Sequence, residues 1–278
     1  MRIRVDHATT YTYERTQRFI IQMLRLTPRS GDHQHVCRWT VETDVDTRLR
    51  RSEDAFGNIV HALYTEKPTD SLMVRVTGEV MTNDTGGVVR GVPEPHAPIV
   101  FLRETALTAC DKAIGAFVAG IRGGSTLDRL HGLMSAIHAA MEFDVSATTA
   151  THTAAEAFEL RRGVCQDYAH LFIAAARRMD IPARYVSGHL VRADGQHDQD
   201  AAHAWAEAFV EDLGWVGFDA ANGICPTDAY VRVAVGLDYL GAAPVRGASY
   251  GGGAERLDVK LNVRDLNLKA AQQSQQQA

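Results

Sequence analysis

Hydrophobic and polar residues alternate with a period of two along much of the first ninety positions. Met1-Arg-Ile-Arg-Val-Asp-His-Ala8 alternates in this way, and so do Trp39–Thr43 and Leu72–Val80; Thr9–Tyr13 and Ile21–Leu26 are strand-like as well. Period two sends successive side chains to opposite faces of a strand, so each stretch predicts a strand with one buried face. Thr27-Pro-Arg-Ser-Gly-Asp32 breaks the second of them, and Phe56-Gly57-Asn58 reads as a turn. Several short strands joined by turns predict an antiparallel sandwich or curled sheet. His33 and His35 fall in a polar loop and are expected to be solvated.

Gly91-Val-Pro-Glu-Pro-His-Ala-Pro98 is a proline-rich linker. Beyond it the period becomes helical. Helices are predicted over 104–121 and over 126–143, the second with Leu130, Leu133, Ile137 and Met141 on one face. Thr153-Ala-Ala-Glu156 is a capping-box signature for a short third helix, after a loop over 143–153. In the stretch 161–179 a fourth helix begins at Cys165, with Tyr168, Phe172, Ala175 and Met179 at helical spacing, so one stripe is expected to face a core. Pro182 cannot continue it. A strand over 184–191, a polar loop over 192–201 and a hairpin over 202–219 follow. Late strands are expected at Val231–Val235 and Leu257–Val263. The pattern predicts an α+β chain: a β-rich N-terminal domain over 1–90, a linker over 91–102, a second domain over 103–267 and a disordered polar tail over 268–278.

Composition narrows the classes. With 278 residues, 45% of them hydrophobic, the chain can hold two packed domains. A net charge of −5 and no Lys/Arg block argue against nucleic acid as a partner. No apolar run is long enough to span a membrane, and the start has no signal-peptide core, so a cytoplasmic protein is expected. The four cysteines, Cys37, Cys110, Cys165 and Cys225, are too scattered for a zinc ribbon or a disulfide framework, and free thiols are expected. Among twelve histidines no His-Glu-x-x-His occurs. Gly241–Gly253 lacks the lysine and spacing of a phosphate loop. Neither a metal nor a cofactor is expected.

The chemistry concentrates around Cys165. It lies at the start of the fourth helix, after the flexible Gly163, where unpaired N–H groups and the helix dipole favour a thiolate. A thiolate nucleophile needs a group to carry protons. In the hairpin, His203 opens one strand and Asp219 closes the other, and those ends are neighbours in an antiparallel pair. A histidine that takes the thiol proton and is oriented by a carboxylate completes a Cys165-His203-Asp219 triad. Judged singly, each has a bland reading: a buried cysteine, a strand histidine, a turn aspartate. Asp167 suits the first turn of the helix and is read as structural, pointing away from the sulfur. His170 does not share the face of Cys165. Trp205 either walls the cleft or packs. The other three cysteines are read as small hydrophobes.

Gly163-Val-Cys-Gln-Asp-Tyr-Ala-His170, Ile181-Pro-Ala-Arg-Tyr-Val-Ser-Gly188, His203-Ala-Trp205 and Gly214-Trp-Val-Gly-Phe-Asp219 together resemble the transglutaminase-like superfamily, in its bacterial branch with an N-terminal β region. Leu24-Arg-Leu-Thr-Pro28 and Asp54-Ala-Phe-Gly-Asn58 resemble that region. The resemblance implies a papain-like core, Cys165, His203 and Asp219 as its catalytic residues, a cleft flanked by the 143–153 loop, and acyl transfer at peptide or carboxamide bonds, with hydrolysis by a cysteine protease or amidase favoured. A thioester on Cys165 would be resolved by water or by an amine, and the sequence leaves both open. It also leaves open an arylamine N-acetyltransferase-like acyltransferase and a non-enzymatic scaffold. One departure stands out: the family's Asp-Pro-Thr-Asn is here Asp219-Ala220-Ala221-Asn222, which predicts a less rigid loop around Asp219.

Overall fold

The computed structural model describes residues 1–267; the expected polar tail lies outside them. Alternation is strict in β1 (Arg2–Gln17), where Ile3, Val5, His7, Thr9, Tyr11 and Tyr13 are all buried while their neighbours are not. The N-terminal part continues through β2 (Phe19–Thr27), β3 (Gln34–Thr43), β4 (Arg50–Glu53), β5 (Ile59–Thr65) and β6 (Thr69–Thr82). Tyr11, Tyr13, Leu72, Val74 and Val76 from β1 and β6 share one core with Ile20, Leu24, Leu26 and Leu63 from β2 and β5. Two sheets facing across a common core are the expected sandwich.

The second part begins with β7 (Val88–Val89) and continues through α1 (Lys112–Ala119), α2 (Thr126–Ala140), β8 (Glu142–Phe143), α3 (Ala154–Leu160), β9 (Arg162–Gly163), α4 (Cys165–Arg178), β10 (Ala183–Leu190), β11 (Asp198–Gln199), β12 (His203–Val210), β13 (Gly214–Phe218), β14 (Tyr230–Gly236) and α5 (Tyr239–Ala242). The chain ends in β15 (Val245–Tyr250) and β16 (Glu255–Asp265). The central sheet has the antiparallel order β14-β10-β12-β13-β7.

Local capping sets the helix starts. The first helix is shorter than its periodicity suggests: Ala106–Thr108 forms one 3-10 turn, and the Asp111 carboxylate then accepts the Ile114 N–H at 2.8 Å. Capping boxes at Ser125/Asp128 and Thr153/Glu156 open α2 and α3. In α4 a single apolar stripe is too narrow a description. Every residue from Gln166 to Arg177 is buried, because α1, α2, α3 and β12 all pack on it. Small residues at 169 and 174–176 let these neighbours approach. Arg177 is buried by donating to the carbonyls of Phe101, Ala183 and Leu237 and to the Thr108 hydroxyl.

Chain order and spatial order part at the C-terminus. The 231–235 strand stays in the central sheet, but β15 pairs with β2 and β16 pairs with β1. Residues 245–265, expected in the second domain, thus complete the two N-terminal sheets. Period two specifies a strand and a buried face but not its partner. Gly247 permits the junction, since a Cβ there would come within 2.1 Å of the Ile21 carbonyl oxygen. The 91–102 segment is also pinned: Glu94 pairs with Arg184, and Phe101 is buried edge-on to Trp215. His33 departs from its solvated expectation. Both ring nitrogens are buried without hydrogen-bond partners, and burial above all pushes the ring down to about 4.

Candidate active site

Cys165 owes its place to the turn that precedes it. Arg161 closes α3 in a left-handed conformation with φ 56°. β9 then runs parallel to β8, with the Asp144 N–H bonded to the Gly163 carbonyl at 3.0 Å. The Asp167 carboxylate folds back to accept the Val164 N–H at 2.8 Å and the Thr148 hydroxyl at 2.6 Å. A Cβ on Gly163 would lie 2.5 Å from that carboxylate, so glycine is required for the close approach. Burial is the leading cause that raises the Asp167 carboxyl, its bonds to Thr148 and Val164 opposing it. Asp167 locks the turn that leads into Cys165, which gives its structural reading a specific form.

His203 opens β12 opposite Gly188 of β10. The ring of Trp205 stacks near it, with centroids 6.1 Å apart, and Trp205 is 3% exposed. A Cβ on Gly188 would strike that indole at 2.6 Å. Trp205 thus packs beneath His203 rather than walling the cleft. On the neighbouring strand Ala206 pairs with Phe218, which sets Asp219 two residues out of register from His203. The side chains close that gap: His203 Nε2 lies 2.6 Å from Asp219 Oδ2.

The Asp219 loop is rigid without its proline. A bridge between Asp219 and Ile224 closes it, with N–H···O bonds of 2.9 and 3.2 Å. Oδ1 accepts the backbone N–H groups of Ala221 and Asn222 at 3.1 and 3.2 Å. Oδ2 accepts the Tyr230 hydroxyl and the Asn222 amide, both at 2.7 Å. The looseness expected from Ala220-Ala221 is offset by these bonds. Tyr230 is a member of the site that sequence reasoning missed; it opens a strand eleven residues on, with no local motif around it.

Charge follows the geometry. Burial works against an ionised Asp219, but the bond and charge of His203, aided by Tyr230 and Asn222, hold the carboxyl below the usual carboxylate range. Burial would likewise push the His203 imidazole down. The hydrogen bond with Asp219, and next the bond with Cys165, outweigh it and push the ring up to about 10. With Nε2 committed to Asp219, Nδ1 is the nitrogen left for the thiol.

Cys165, His203 and Asn222 line a cleft of about 1320 Å³ that also takes in Tyr185 of β10 and Tyr13 and Gln22 of the sandwich. The exposed Phe143 and Val145, from the loop expected to flank the cleft, form part of its rim. Cys37 is exposed, whereas burial raises the thiols of Cys110 and Cys225.

Two family models match the chain. The bacterial transglutaminase-like N-terminal region matches residues 3–81, and the transglutaminase-like superfamily core matches 116–220. An uncharacterized protein of Mycobacterium leprae is 33% identical over 95% of this chain and 99% of its own. The chain belongs to the transglutaminase-like superfamily. A second uncharacterized relative, from Mycobacterium tuberculosis, is 28% identical over 90% of this chain and 88% of its own. The same fold is seen in the crystal structure of a candidate cysteine protease from Cytophaga hutchinsonii, with a TM-score of 0.75, 21% identity, and coverage of 95% of this chain and 91% of that one. The transglutaminase-like core match contains Cys165, His203 and Asp219 and stops before Asn222 and Tyr230. The N-terminal match ends within β6, so β15 and β16 lie outside both. Among the described residues no helix is long and apolar enough to cross a membrane.

Proposed function

We propose that this protein is a cysteine-dependent acyl-transfer enzyme that hydrolyses peptide or carboxamide bonds through Cys165, His203 and Asp219. The observation that carries this reading is the state of His203. It sits in the cleft with Cys165, bonded to a buried carboxylate, and that carboxylate and the neighbouring sulfur push its ring up to about 10. An imidazolium beside a sulfur is the pairing that keeps a thiolate ready to attack. The Cys165 sulfur adds to the carbonyl carbon, and the resulting oxyanion faces the backbone N–H at the start of α4. The C–N bond then breaks, and the His203 proton leaves with the amine. Water, deprotonated by His203, displaces the thiol from the thioester and yields a carboxylic acid. In this reading hydrolysis is favoured over transamidation; the His203 side chain keeps 12% exposure, which admits water.

The test is a peptide and carboxamide library incubated with the protein and examined by mass spectrometry. A thioester on Cys165 and release of free acid are expected. Incorporation of an added primary amine in place of acid would make the enzyme a transglutaminase. Acetylation of Cys165 by acetyl-coenzyme A without turnover of any peptide would favour the acetyltransferase reading. Absence of every adduct would favour a scaffold.

A further inference from the structure

A tetrahedral oxyanion is stabilised best by more than one donor, and the backbone N–H of Cys165 supplies only one. The polar side chains around the nucleophile are mostly committed elsewhere. Gln166 donates its amide to the Ala150 carbonyl at 3.1 Å, Ser187 its hydroxyl to the Ala242 carbonyl at 2.8 Å, and Asn222 its amide to Asp219 at 2.7 Å. Tyr185 and Tyr239 of the cleft wall are not so committed, and Tyr185 is the more deeply set of the two. It is 2% exposed and lines the cleft together with Cys165, and its hydroxyl makes no hydrogen bond to any described residue. The ring is fixed between His170 at 5.2 Å and Tyr239 at 6.1 Å, on a strand paired on both sides through Ala206 and Gly236. Its hydroxyl is left open to the cleft, where a ligand atom can accept from it.

We propose that Tyr185 is a second oxyanion donor, its hydroxyl hydrogen-bonding the carbonyl oxygen of the tetrahedral species on Cys165. This rests on the acyl-transfer reading above. After burial, the negative charge of Cys165 is the leading influence that raises the Tyr185 phenol well above its ordinary value. The hydroxyl therefore keeps its proton, in the same cleft as the Cys165 sulfur. Tyr239, the other tyrosine of this wall, is raised by burial alone.

Two reagents separate oxyanion stabilisation from support of the nucleophile. Iodoacetamide alkylates a thiolate by displacement at a saturated carbon, and no oxyanion forms. An N-acetyl dipeptide aldehyde adds the same sulfur to a carbonyl and leaves a tetrahedral oxygen. Tyr185→Phe should leave the rate of Cys165 alkylation within about twofold and weaken aldehyde binding by about 10²-fold, the scale for losing one such donor. Unchanged aldehyde binding overturns the assignment. So does a parallel loss with both reagents, which would mean that Tyr185 only props the Cys165–His203 pair. If the phenylalanine variant fails to fold, 3-fluorotyrosine at 185 keeps the ring and strengthens the donor; aldehyde binding should then tighten, and no tightening again overturns the proposal. A wild-type Cys165 that neither reagent modifies would overturn the acyl-transfer reading itself, and this assignment with it.

Discussion

Two buried carboxylates stand on one hairpin, and they are held in opposite ways. Glu207, fully buried on β12, is bonded to Arg184 at 2.7 Å and to Arg232 at 2.7 Å. Arg184 reaches on to Glu94 and lies 3.8 Å over the Trp215 ring. Burial raises a carboxyl, but these two arginines outweigh it and hold Glu207 at about 2. Asp219, equally buried at the end of β13, has an imidazole, a phenol and an amide instead. An arginine never gives up its proton in this pH range, whereas an imidazole does. The arginine cluster therefore ties β10, β12, β14 and the proline-rich segment into a fixed floor. The Asp219 cluster leaves one proton mobile above that floor. Four residues separate His203 from Glu207, so both lie on one face of β12, the first at the cleft and the second away from it.

The largest effects should come from the mobile end. Cys165→Ala and His203→Ala should each lower turnover by about 10⁴-fold or more; thermal unfolding at neutral pH should be nearly unchanged for Cys165→Ala and lowered for His203→Ala, which leaves the buried Asp219 without its charged partner. The double variant should lose little beyond either single one, because the two act as a unit; multiplicative losses would contradict a shared mechanism. Limiting iodoacetamide at mildly acidic pH should label Cys165 ahead of the half-buried Cys110 and Cys225, whose thiols are pushed up, and ahead of the exposed Cys37. Asp219→Asn should cost about 10²- to 10⁴-fold through the wrong tautomer and the lost charge. A fully active Asn variant would pass the orienting role to Asn222.

Much of this arrangement could be read in the chain before any coordinates. Cys165 stands at a recognisable helix start, and His203 and Asp219 at the ends of one hairpin, so local pattern and short-range register bring two of the three together. What escaped the sequence is long-range. Tyr230 reaches Asp219 from the far strand of the sheet, and the Glu207 cluster joins residues 94, 184, 207 and 232 across three strands and a linker. β15 hides in a glycine-rich stretch whose partner lies more than two hundred residues earlier. Periodicity reports how a segment is buried but not what buries it. His33 shows the same limit, because burial and the distant Arg232 and Glu207 act on it more strongly than its sequence neighbour Asp32.

The fixed end should fail differently. Glu207→Gln leaves two arginines buried without their counter-charge and should cost about 3–5 kcal/mol of stability in urea unfolding. Turnover of the folded fraction should stay within a few-fold; a loss as large as that of His203→Ala would put the cluster in the chemistry. Glu207 and His203 should also lose their stabilising effect at opposite ends of the pH scale. Glu207 has a lowered folded pKa, so its stabilisation is complete above about 4.5 and is lost as the pH falls towards about 2. His203 has a raised one, so its stabilisation is complete below about 6.5 and is lost as the pH rises towards about 10. Melting curves of the wild type and of each variant should converge at acid pH for Glu207→Gln and at alkaline pH for His203→Gln. Convergence at the same end would remove the distinction.

The smallest expected effect tests how the mobile end is tuned. Tyr230→Phe removes one hydroxyl from Asp219 and leaves His203, Asn222 and two backbone N–H groups bonded to it. The ring itself stays, edge-on to Trp205 at 5.4 Å and 5.9 Å from His203, so packing is preserved. One hydrogen bond to a charged group is worth roughly 1.5 kcal/mol, and a tenfold change in rate corresponds to about 1.4 kcal/mol. Turnover should therefore fall about fivefold to tenfold. Because the hydroxyl acts only through the carboxylate, the change should add nothing in an Asp219→Asn background. It should also leave Glu207 untouched, so the acid limb of the stability curve should move only by the share that Asp219 carries. A full tenfold loss that persists in the Asn background would mean that Tyr230 meets the substrate or His203 directly, and that Asp219 is not its route to the reaction.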